Sequence, residues 1–415
     1  MKEFAFNFEN SLLNQSFLLS ISSHRNKVLE ISLKLRYTKT IRRRYSEMKR
    51  TLKLICAALV AVATISAASA KGSQVAKATK NGVKMEKLKL EKKWDKTFAL
   101  SDMVSHQKVT FTNHFGITLA ADMYTPKAAP AGGKFAAIAV SGPFGAVKEQ
   151  SSGLYAHEMA KRGYLTIAFD PSFTGESGGM PRNMNSPDIN TEDFMAAVDY
   201  LSTRSNIDPE KIGIIGICGW GGMALNTAAI DTRVKATVAS TMYDMSRVTA
   251  NGYFDSNNNA DARNEARKAL MAQRTEDFKT VQAGGTYKLA GGVVDPLPDD
   301  APYFVKDYYA YYKTPRGYHE RSPNSNGGWA VQAGTSLLNT KLLAYSDEIR
   351  SAVMVLHGEK AHSRYFGEDA FKRLTGDNKE LVIVPGASHT DLYDGGETNA
   401  IPFDKLADFF GKYLK

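Results

Sequence analysis

Short apolar runs recur along the chain from residue 106 onward, and polar, helix-forming segments separate most of them. The runs with the length and the β-branched content of buried strands are 135–140, 165–169, 212–217, 234–240, 352–356 and 381–384. Nearly continuous apolar runs of this kind are typical of parallel strands that are buried on both faces. The alternation of strand and helix therefore predicts an α/β fold, with a mostly parallel, doubly wound sheet that binds ligands at its carboxyl edge.

Two segments near the start of this region predict an antiparallel hairpin. Residues 109–111 and 117–124 alternate between apolar and polar positions, and the turn-forming stretch Asn113-His114-Phe115-Gly116 lies between them. This combination of alternation and turn residues is the usual signal of paired strands. We place the hairpin at the edge of the sheet.

The alternation of strand and helix breaks down between residues 245 and 350. This stretch contains Asn-rich, Gly-rich and Pro-rich turns and an aromatic run, whose members are Tyr303, Phe304, Tyr308, Tyr309, Tyr311 and Tyr312. A structureless insertion of this length is uncommon in a folded domain, so we predict a cap over the functional site. The aromatic side chains either line a substrate pocket or pack the cap against the core.

The strand predicted at 212–217 leads directly into a turn of small residues and then into a helix-forming segment. A sharp turn at this place presents one side chain at the helix N-terminus, and glycines make room for it. The side chain presented is Cys218, and we expect the helix N-terminus and a nearby histidine to lower the pKa of its thiol. The alternative is a buried, inert cysteine beneath a structural turn.

The motif Gly-Ile-Cys-Gly-Trp-Gly-Gly at residues 216–222 resembles the nucleophile elbow of the α/β-hydrolase superfamily. The chain is most similar to the dienelactone-hydrolase-like branch, whose elbow also carries a cysteine. Trp220 departs from that branch, because it lengthens the turn by one residue before the glycine pair. Counting back from Gly222 would instead place Trp220 at the nucleophile position, where an indole has no suitable chemistry, so Cys218 is the candidate nucleophile.

This resemblance covers residues 106–415 and implies the other parts of a catalytic site. The backbone N–H groups of Phe144 and Gly219 would form the oxyanion hole. His389, in the loop after the strand at 381–384, would be the general base. The sequence alone also allows an ordinary loop around Phe144 and a surface histidine at position 389.

The third catalytic residue, the acid that orients the histidine, is irregular in this chain. The superfamily most often places it a few residues after the penultimate strand, where this chain has Glu359 but no aspartate. Asp244 follows the preceding strand and keeps the superfamily's order of nucleophile, acid and base. We therefore favour Asp244 as the acid and keep Glu359 as the alternative.

The residues before the predicted hydrolase domain at 106–415 divide into three parts. Residues 48–70 have the basic start, apolar middle and Ala-x-Ala end of a signal peptide, which predicts a periplasmic or secreted protein. Residues 1–47 are then a spurious extension from a start codon assigned too far upstream, or alternatively a genuine basic leader. Residues 71–105 are Lys-rich and predict a tether with a short amphipathic segment.

The basic character of the chain comes mostly from its first 70 residues, which hold 12 Lys or Arg and 4 Asp or Glu. Without them the counts fall from 53 and 43 to 41 and 39, and the net charge falls from +10 to +2. This near-neutral charge gives no reason to expect a nucleic-acid partner. Cys218 is then the single remaining cysteine, so an internal disulfide is excluded. The signal segment is too short for a comfortable membrane span, and we expect no stable membrane insertion after its cleavage.

Together these observations predict an exported α/β-hydrolase that cleaves an ester, lactone or thioester of a small molecule through Cys218 and His389. The sequence has no metal-ligand cluster, phosphate-binding glycine loop or nucleotide motif, so we expect neither a metal nor a cofactor. The oligomeric state is not predicted. The alternative function is that of a catalytically degenerate hydrolase fold acting as an envelope binding or scaffold protein.

The mature protein is predicted to begin at Lys71, because Ala68-Ser69-Ala70 has the pattern of a signal-peptidase cleavage site. Intact mass spectrometry of the protein recovered from the periplasm or the medium measures the mature N-terminus directly. A recovered chain that still carries residues 1–47 would contradict the prediction.

Overall fold

Eight strands form one sheet in the computed structural model, which describes residues 85–130 and 132–414. The strands are β1 (Val104–Thr112), β2 (Thr118–Pro126), β3 (Phe135–Ser141), β4 (Leu165–Phe169), β5 (Ile207–Ile217), β6 (Val234–Ser240), β7 (Ala352–Gly358) and β8 (Lys379–Val384). Their order across the sheet is β1-β2-β4-β3-β5-β6-β7-β8. β2 is antiparallel to β1 and to β4, and the remaining neighbours are parallel. The predicted α/β fold with a hairpin at the sheet edge is therefore confirmed.

The middle of the sheet forms the core, because helices cover both faces there. Every residue of β4 and the stretch 212–217 of β5 are buried, as their continuous apolar runs predict. β8 differs from the prediction of a fully buried strand, since Leu381 is 37% exposed. The physical reason is its position: β8 ends the sheet and pairs only with β7.

Helices alternate with the parallel strands and also build the insertion before β7. They are α1 (Ser151–Lys161), α2 (Pro187–Ser202), α3 (Gly219–Ile230), α4 (Met245–Asn251), α5 (Ala260–Gln282), α6 (Tyr303–Tyr312), α7 (Ala333–Asn339), α8 (Arg364–Arg373), α9 (Asp391–Asp394) and α10 (Phe403–Tyr413). Helix α10 buries Leu406, Phe409 and Phe410 on one face, which is the helical spacing that the sequence shows. Its last turn carries Lys412, a favourable charge at a helix C-terminus.

Helices α4 to α7 lie within the predicted cap insertion at 245–350. A two-residue ladder between Leu289–Ala290 and Trp329–Ala330 joins two of its loops. The aromatic run of α6 divides between two roles, because Tyr311 and Tyr312 are buried whereas Tyr303 is 55% exposed. Tyr311 and Tyr312 therefore pack the cap against the core, which is one of the two roles that the sequence allowed.

Part of the predicted tether at 71–105 is packed on the domain. From residue 85 onward this segment is described, and the Lys96 ammonium lies 3.1 Å from the buried Asp122 carboxylate. The backbone N–H of Thr97 donates to the carbonyl of Glu149 at 3.0 Å. The sequence did not indicate this docking, because the partners of the segment come from distant loops.

The predicted extension at 1–47 and the predicted signal peptide at 48–70 lie outside the described residues. Among the helices that the structure does describe, none is long and apolar enough to cross a membrane.

Candidate active site

Cys218 occupies the turn between β5 and α3, with backbone angles φ 58° and ψ −126°. A positive φ at a non-glycine residue is uncommon, and residues in sparsely populated regions persist only where their surroundings hold them. Backbone hydrogen bonds do so here: the Cys218 N–H donates to Ser240 at 2.9 Å, and its carbonyl accepts from the N–H groups of Gly221 and Tyr243 at 2.9 and 2.8 Å. The turn is therefore tied to the end of β6 on both sides of the cysteine.

Two glycines of the turn are required by close approach of other atoms. A Cβ at position 216 would lie 2.0 Å from the carbonyl oxygen of Trp220. A Cβ at position 219 would lie 2.8 Å from the Cβ of Phe144. Gly216 thus lets α3 pack against its own strand, and Gly219 lets the loop after β3 approach the cysteine.

Trp220 does not lengthen the turn, because it lies in the first turn of α3. Its indole is 2% exposed and packs edge-on against Phe169 and Phe194, with ring centroids 5.9 and 5.5 Å away. Trp220, the residue that departs from the dienelactone-hydrolase-like pattern, is thus accommodated in the core. Cys218 keeps the position at the tip of the turn.

Burial and three nearby polar groups act on the pKa of the Cys218 thiol in opposite directions. Burial raises its pKa, and the Tyr393 hydroxyl and the backbone N–H groups of Phe144 and Gly219 lower it by hydrogen bonding, but burial outweighs them. The expectation of a depressed thiol pKa is therefore wrong. The physical reason is that the sulfur is withdrawn from water and that no cation from the described part of the chain stands beside it to compensate.

His389 lies in the loop between β8 and α9, and its ring is fully buried. Its Nε2 atom forms a hydrogen bond of 2.9 Å with the Tyr393 hydroxyl. Its Nδ1 atom lies 2.9 Å from Thr241 Oγ1 and 2.6 Å from Ser363 Oγ. Burial lowers the pKa of His389 well below its ordinary value, and His362 and His357 lower it further. His389 is therefore a neutral imidazole that is oriented by hydroxyl groups.

Neither carboxylate that was considered for the catalytic acid contacts His389. Asp244 is the N-cap of α4, and its carboxylate accepts from the Arg247 N–H at 2.9 Å and from Ser246 Oγ at 2.6 Å. Glu359 accepts from the backbone N–H of Gly386 at 2.8 Å. The prediction of Asp244 as the orienting acid is corrected to a helix cap, because its side chain turns into its own helix.

Three residues of the site were not assigned from the sequence. Ser363 lies in the loop after β7, where the superfamily most often places the acid, so a search for any hydrogen-bonding residue there would have found it. Thr241 follows β6 directly. Tyr393 lies four residues after His389 on α9, and only the folded structure shows that its hydroxyl reaches His389.

A cluster of tyrosines and a second histidine adjoins the site. The Tyr243 hydroxyl forms hydrogen bonds with His362 Nε2, with Tyr308 at 3.1 Å and with Tyr253 at 3.3 Å. Burial lowers the pKa of His362 to about 4. Tyr308 comes from α6, so the cap contributes polar groups to the region beside His389.

The cap also holds both loops that carry the site. Asp307 of α6 accepts a hydrogen bond from the Thr390 hydroxyl at 2.5 Å, and Arg316 forms an ion pair with Asp394 at 2.7 Å. On the other side, the ring of Phe144 stacks on Trp329 at 4.3 Å between centroids. Movement of the cap would therefore displace the histidine loop and the loop after β3.

One group of carboxylates in the described chain has the spacing of metal ligands, and it consists of Glu149, Asp170 and Glu176. The ammonium of Lys148 lies among them at 2.6, 2.7 and 2.7 Å. Although burial alone would lower the pKa of Lys148, the carboxylates of Asp170 and Glu149 raise it well above its ordinary value. A lysine ion thus occupies the place of a metal. The Lys148 N–H also donates to Asp170 at 2.8 Å, which fixes the loop after β3.

Comparison with known proteins assigns the chain to a family. The model of the X-Pro dipeptidyl-peptidase family (S15 family) matches residues 116–391, about two thirds of the chain. The chain belongs to the S15 family. The matched range includes both Cys218 and His389.

A relative in Pseudomonas aeruginosa is similar over most of this chain. The uncharacterized protein PA2218 of Pseudomonas aeruginosa is 53% identical to this S15-family chain over 328 residues, which are 79% of the chain and 86% of that protein. Its crystal structure matches with a TM-score of 0.74 at 52% identity, covering 79% of this chain and 99% of that chain.

Two further proteins are similar to the S15-family chain in fold or over part of its sequence. The crystal structure of the α/β hydrolase GrgF from Penicillium sp. sh18 matches with a TM-score of 0.60 at 21% identity, covering 75% of this chain and 99% of that one, and shows the same fold. Thiohydrolase aneE of Aspergillus aculeatus is 33% identical over 135 residues, 32% of this chain and 41% of that protein. The S15-family chain is a hydrolase with the α/β-hydrolase fold.

The state of the thiol gives a direct test of the site's electrostatics. Because burial raises the thiol pKa and no imidazolium stands beside it, Cys218 should be protonated at neutral pH and ionise only in the alkaline range. Ultraviolet difference titration of the protein against its Cys218→Ala variant isolates the thiolate absorbance from that of the tyrosines. Thiolate absorbance at pH 7 would contradict this description of the site.

Proposed function

We propose that this S15-family hydrolase cleaves esters, lactones or thioesters of small molecules, with Cys218 as the nucleophile and His389 as the general base. The observation that carries the proposal is the environment of the Cys218 sulfur, at the tip of a strained turn with the backbone N–H groups of Phe144 and Gly219 beside it. A turn of this shape serves to present a nucleophile.

The two N–H groups supply the electrostatic part of the proposed reaction. When the sulfur attacks a carbonyl carbon, the carbonyl oxygen becomes an oxyanion that lies close to the sulfur. Donors that converge near the sulfur are then placed to bind that oxygen, and a single such donor contributes roughly 3–4 kcal/mol in a serine hydrolase. Because Gly219 lacks a side chain, the loop carrying Phe144 can approach closely enough to share this task.

His389 supplies the base. Its pKa is held well below the ordinary value, so the ring is neutral and able to accept a proton throughout the neutral range. The cysteine and the histidine thus start as a neutral pair and not as a thiolate and an imidazolium. Proton transfer then has to accompany the attack of the sulfur on the substrate.

The hydroxyl groups that face Nδ1 of His389 favour substrates whose leaving group departs as an anion. Ser363 and Thr241 face Nδ1 where a carboxylate would stabilise an imidazolium, so a protonated His389 is short-lived. An amine must be protonated to leave, whereas a thiolate or a phenolate need not be. We therefore rank thioesters and activated esters above amides, although the family is named for a peptidase.

The relative named a thiohydrolase, which matches this chain over 135 residues, supports a thioester substrate. The elbow's likeness to the dienelactone-hydrolase-like branch keeps lactones in the proposed range. We also propose that the hydrolase acts outside the cytoplasm, on the basis of the signal-peptide pattern at residues 48–70.

The test is steady-state hydrolysis of three substrates with one common acyl group: a thioester, a nitrophenyl ester and, for the peptidase alternative, an X-Pro nitroanilide. We expect the thioester and the ester to be turned over faster than the anilide. Cys218→Ala should lower kcat by roughly 10³-fold or more, and His389→Ala by roughly 10²–10⁴-fold.

Asp244→Asn is the matched control for these variants. It should leave kcat unchanged within roughly a factor of two, because Asn caps a helix as well as Asp does. Preferential turnover of the X-Pro substrate would favour a peptidase instead. Full activity of Cys218→Ala would show that Cys218 is not the nucleophile.

A further inference from the structure

A cavity of about 900 Å³ lies between the cap and the core. Its walls are α4, the first part of α5, the segment 338–345 and the last residue of α8. Small-molecule sites commonly have volumes of roughly 300–1,000 Å³. Cys218 and His389 do not line this cavity, so it is separate from the proposed active site. We call it the basic cavity.

Positive charge dominates the lining of the basic cavity. Among the described residues that line it, one is acidic, Asp244, and five are basic: Arg247, Arg263, Arg267, Lys341 and Arg373. The Asp244 carboxylate is already engaged, since it accepts from Ser246 Oγ and from the Arg247 N–H. The Arg247 guanidinium is balanced by ion pairs with Asp255 and Asp369. Four cations of the lining therefore remain to be balanced.

Two of these four cations, Arg263 and Arg267, are held at the cavity wall by neutral groups. Arg263 Nη1 donates to the side-chain oxygens of Asn258 at 2.8 Å and Asn251 at 3.2 Å. Arg267 donates from Nε and Nη2 to the side-chain oxygen of Asn339 at 3.2 and 3.0 Å. Because all three asparagines line the cavity, both guanidinium groups lie at its wall. A guanidinium has five N–H donors, so most of these donors remain available to a ligand.

The other two cations come from different elements. Arg373 on α8 donates from Nη2 to the Ala344 carbonyl at 3.0 Å, and its ion pair with Asp347 is long, at 3.9 Å. Lys341 lies in the loop after α7 and forms no ion pair with a carboxylate of the described residues. Both side chains are exposed, so a ligand can reach them from solvent without movement of the cap.

Two lysines elsewhere on α5 carry their own counter-charges. Lys268 and Lys279 do not line the cavity, and each pairs at 2.8 Å with a glutamate three residues earlier. Like charges that are gathered without counter-charges repel one another and destabilise the folded state. A bound anion would remove this repulsion from the basic cavity.

We propose that the basic cavity binds a small molecule that carries a chain of two or more phosphate groups. Arg263 and Arg267 are i and i+4 neighbours on α5, with about 5–6 Å between their Cβ atoms, so both can contact one chain. Guanidinium groups match the geometry of phosphate oxygens and form charge-assisted hydrogen bonds with them. A phosphate group carries up to about two negative charges, so two or three such groups come close to balancing four cations. Single carboxylates would need four groups to do the same.

A ligand in the basic cavity would also join the cap to the core. Arg263, Arg267 and Lys341 belong to the cap insertion, whereas Arg373 belongs to α8 of the core. A ligand that binds the folded state and not the unfolded state raises the free energy of unfolding. We therefore expect the bound phosphate chain to raise the Tm of the protein. This inference does not depend on the proposed reaction at Cys218.

Inorganic tripolyphosphate is the probe, titrated into the protein by isothermal calorimetry at constant ionic strength and without divalent cations. We expect saturable binding of one molecule per chain, and a Tm that rises with the probe concentration. Orthophosphate should bind roughly 10-fold more weakly or less, because a single group cannot contact all the cations. No saturable binding at about 1 mM tripolyphosphate would overturn the proposal. Citrate that binds as tightly as tripolyphosphate would overturn the assignment to phosphate.

The double variant Arg263→Gln with Arg267→Gln tests the location of binding. Because Gln forms helices about as well as Arg does, α5 should be kept. The affinity for tripolyphosphate should fall roughly 10-fold or more. The matched control is Lys268→Gln with Lys279→Gln, which removes the same charge from the same helix and should change the affinity by less than about a factor of two. Equal losses in both double variants would mean general electrostatic attraction and would rule out the site.

Hydrogen exchange of the unaltered protein tests the location without any variant. Tripolyphosphate should slow the exchange of backbone amides in the lining segments 258–267 and 338–345, because a bound ligand suppresses their local opening. The far end of α5, residues 276–282, serves as the internal control and should exchange as before. Unchanged exchange in both lining segments under saturating tripolyphosphate would overturn the proposal.

Discussion

The backbone of Cys218 is held in a conformation that residues with a side chain rarely adopt, and the rest of the site depends on it. A sparsely populated φ and ψ combination costs of order 1–3 kcal/mol and persists only where packing imposes it. Here the carbonyl of Trp220 approaches Gly216 so closely that any Cβ would clash, which locks α3 against β5. The hydrogen bonds from Gly221 and Tyr243 to the Cys218 carbonyl complete the restraint. The sulfur is thereby fixed relative to the N–H groups of Phe144 and Gly219.

A second constraint follows from the burial of the site. The thiol and the imidazole are both withdrawn from water, and burial shifts each pKa towards the neutral form. A carboxylate at Nδ1 would have stabilised the charged pair, but Ser363 and Thr241 stand there instead. The proposed chemistry is consequently that of a neutral cysteine–histidine pair, in which hydroxyl groups orient the histidine. The cap reinforces this state, because the Tyr308 ring lies against the His389 ring, with 5.3 Å between centroids, and Asp307 holds the loop of His389.

The parts of this account that are local in sequence could be predicted. The apolar runs of β3 to β7 and the turn at Cys218 are each encoded within a few residues, and Phe144 and His389 follow from the order of the elements. The parts that depend on distant contacts could not be predicted. Asp244 and Ser363 both follow strands at the same edge, and only the fold shows that Asp244 caps its own helix while Ser363 reaches His389. The thiol pKa was mistaken for a similar reason, since the depth of burial of a turn is a tertiary property. The docking of Lys96 on Asp122 likewise joins segments that the sequence does not connect.

The central claim is that the acyl group of the substrate passes through the sulfur of Cys218. The most direct measurement is peptide mapping by mass spectrometry after rapid acid quench of the protein during turnover of a slow thioester. The account predicts the mass of the acyl group on the peptide that contains Cys218, and its absence after the substrate is exhausted. Sustained turnover with that peptide unmodified at every time point, or with the acyl group on another residue, would contradict it.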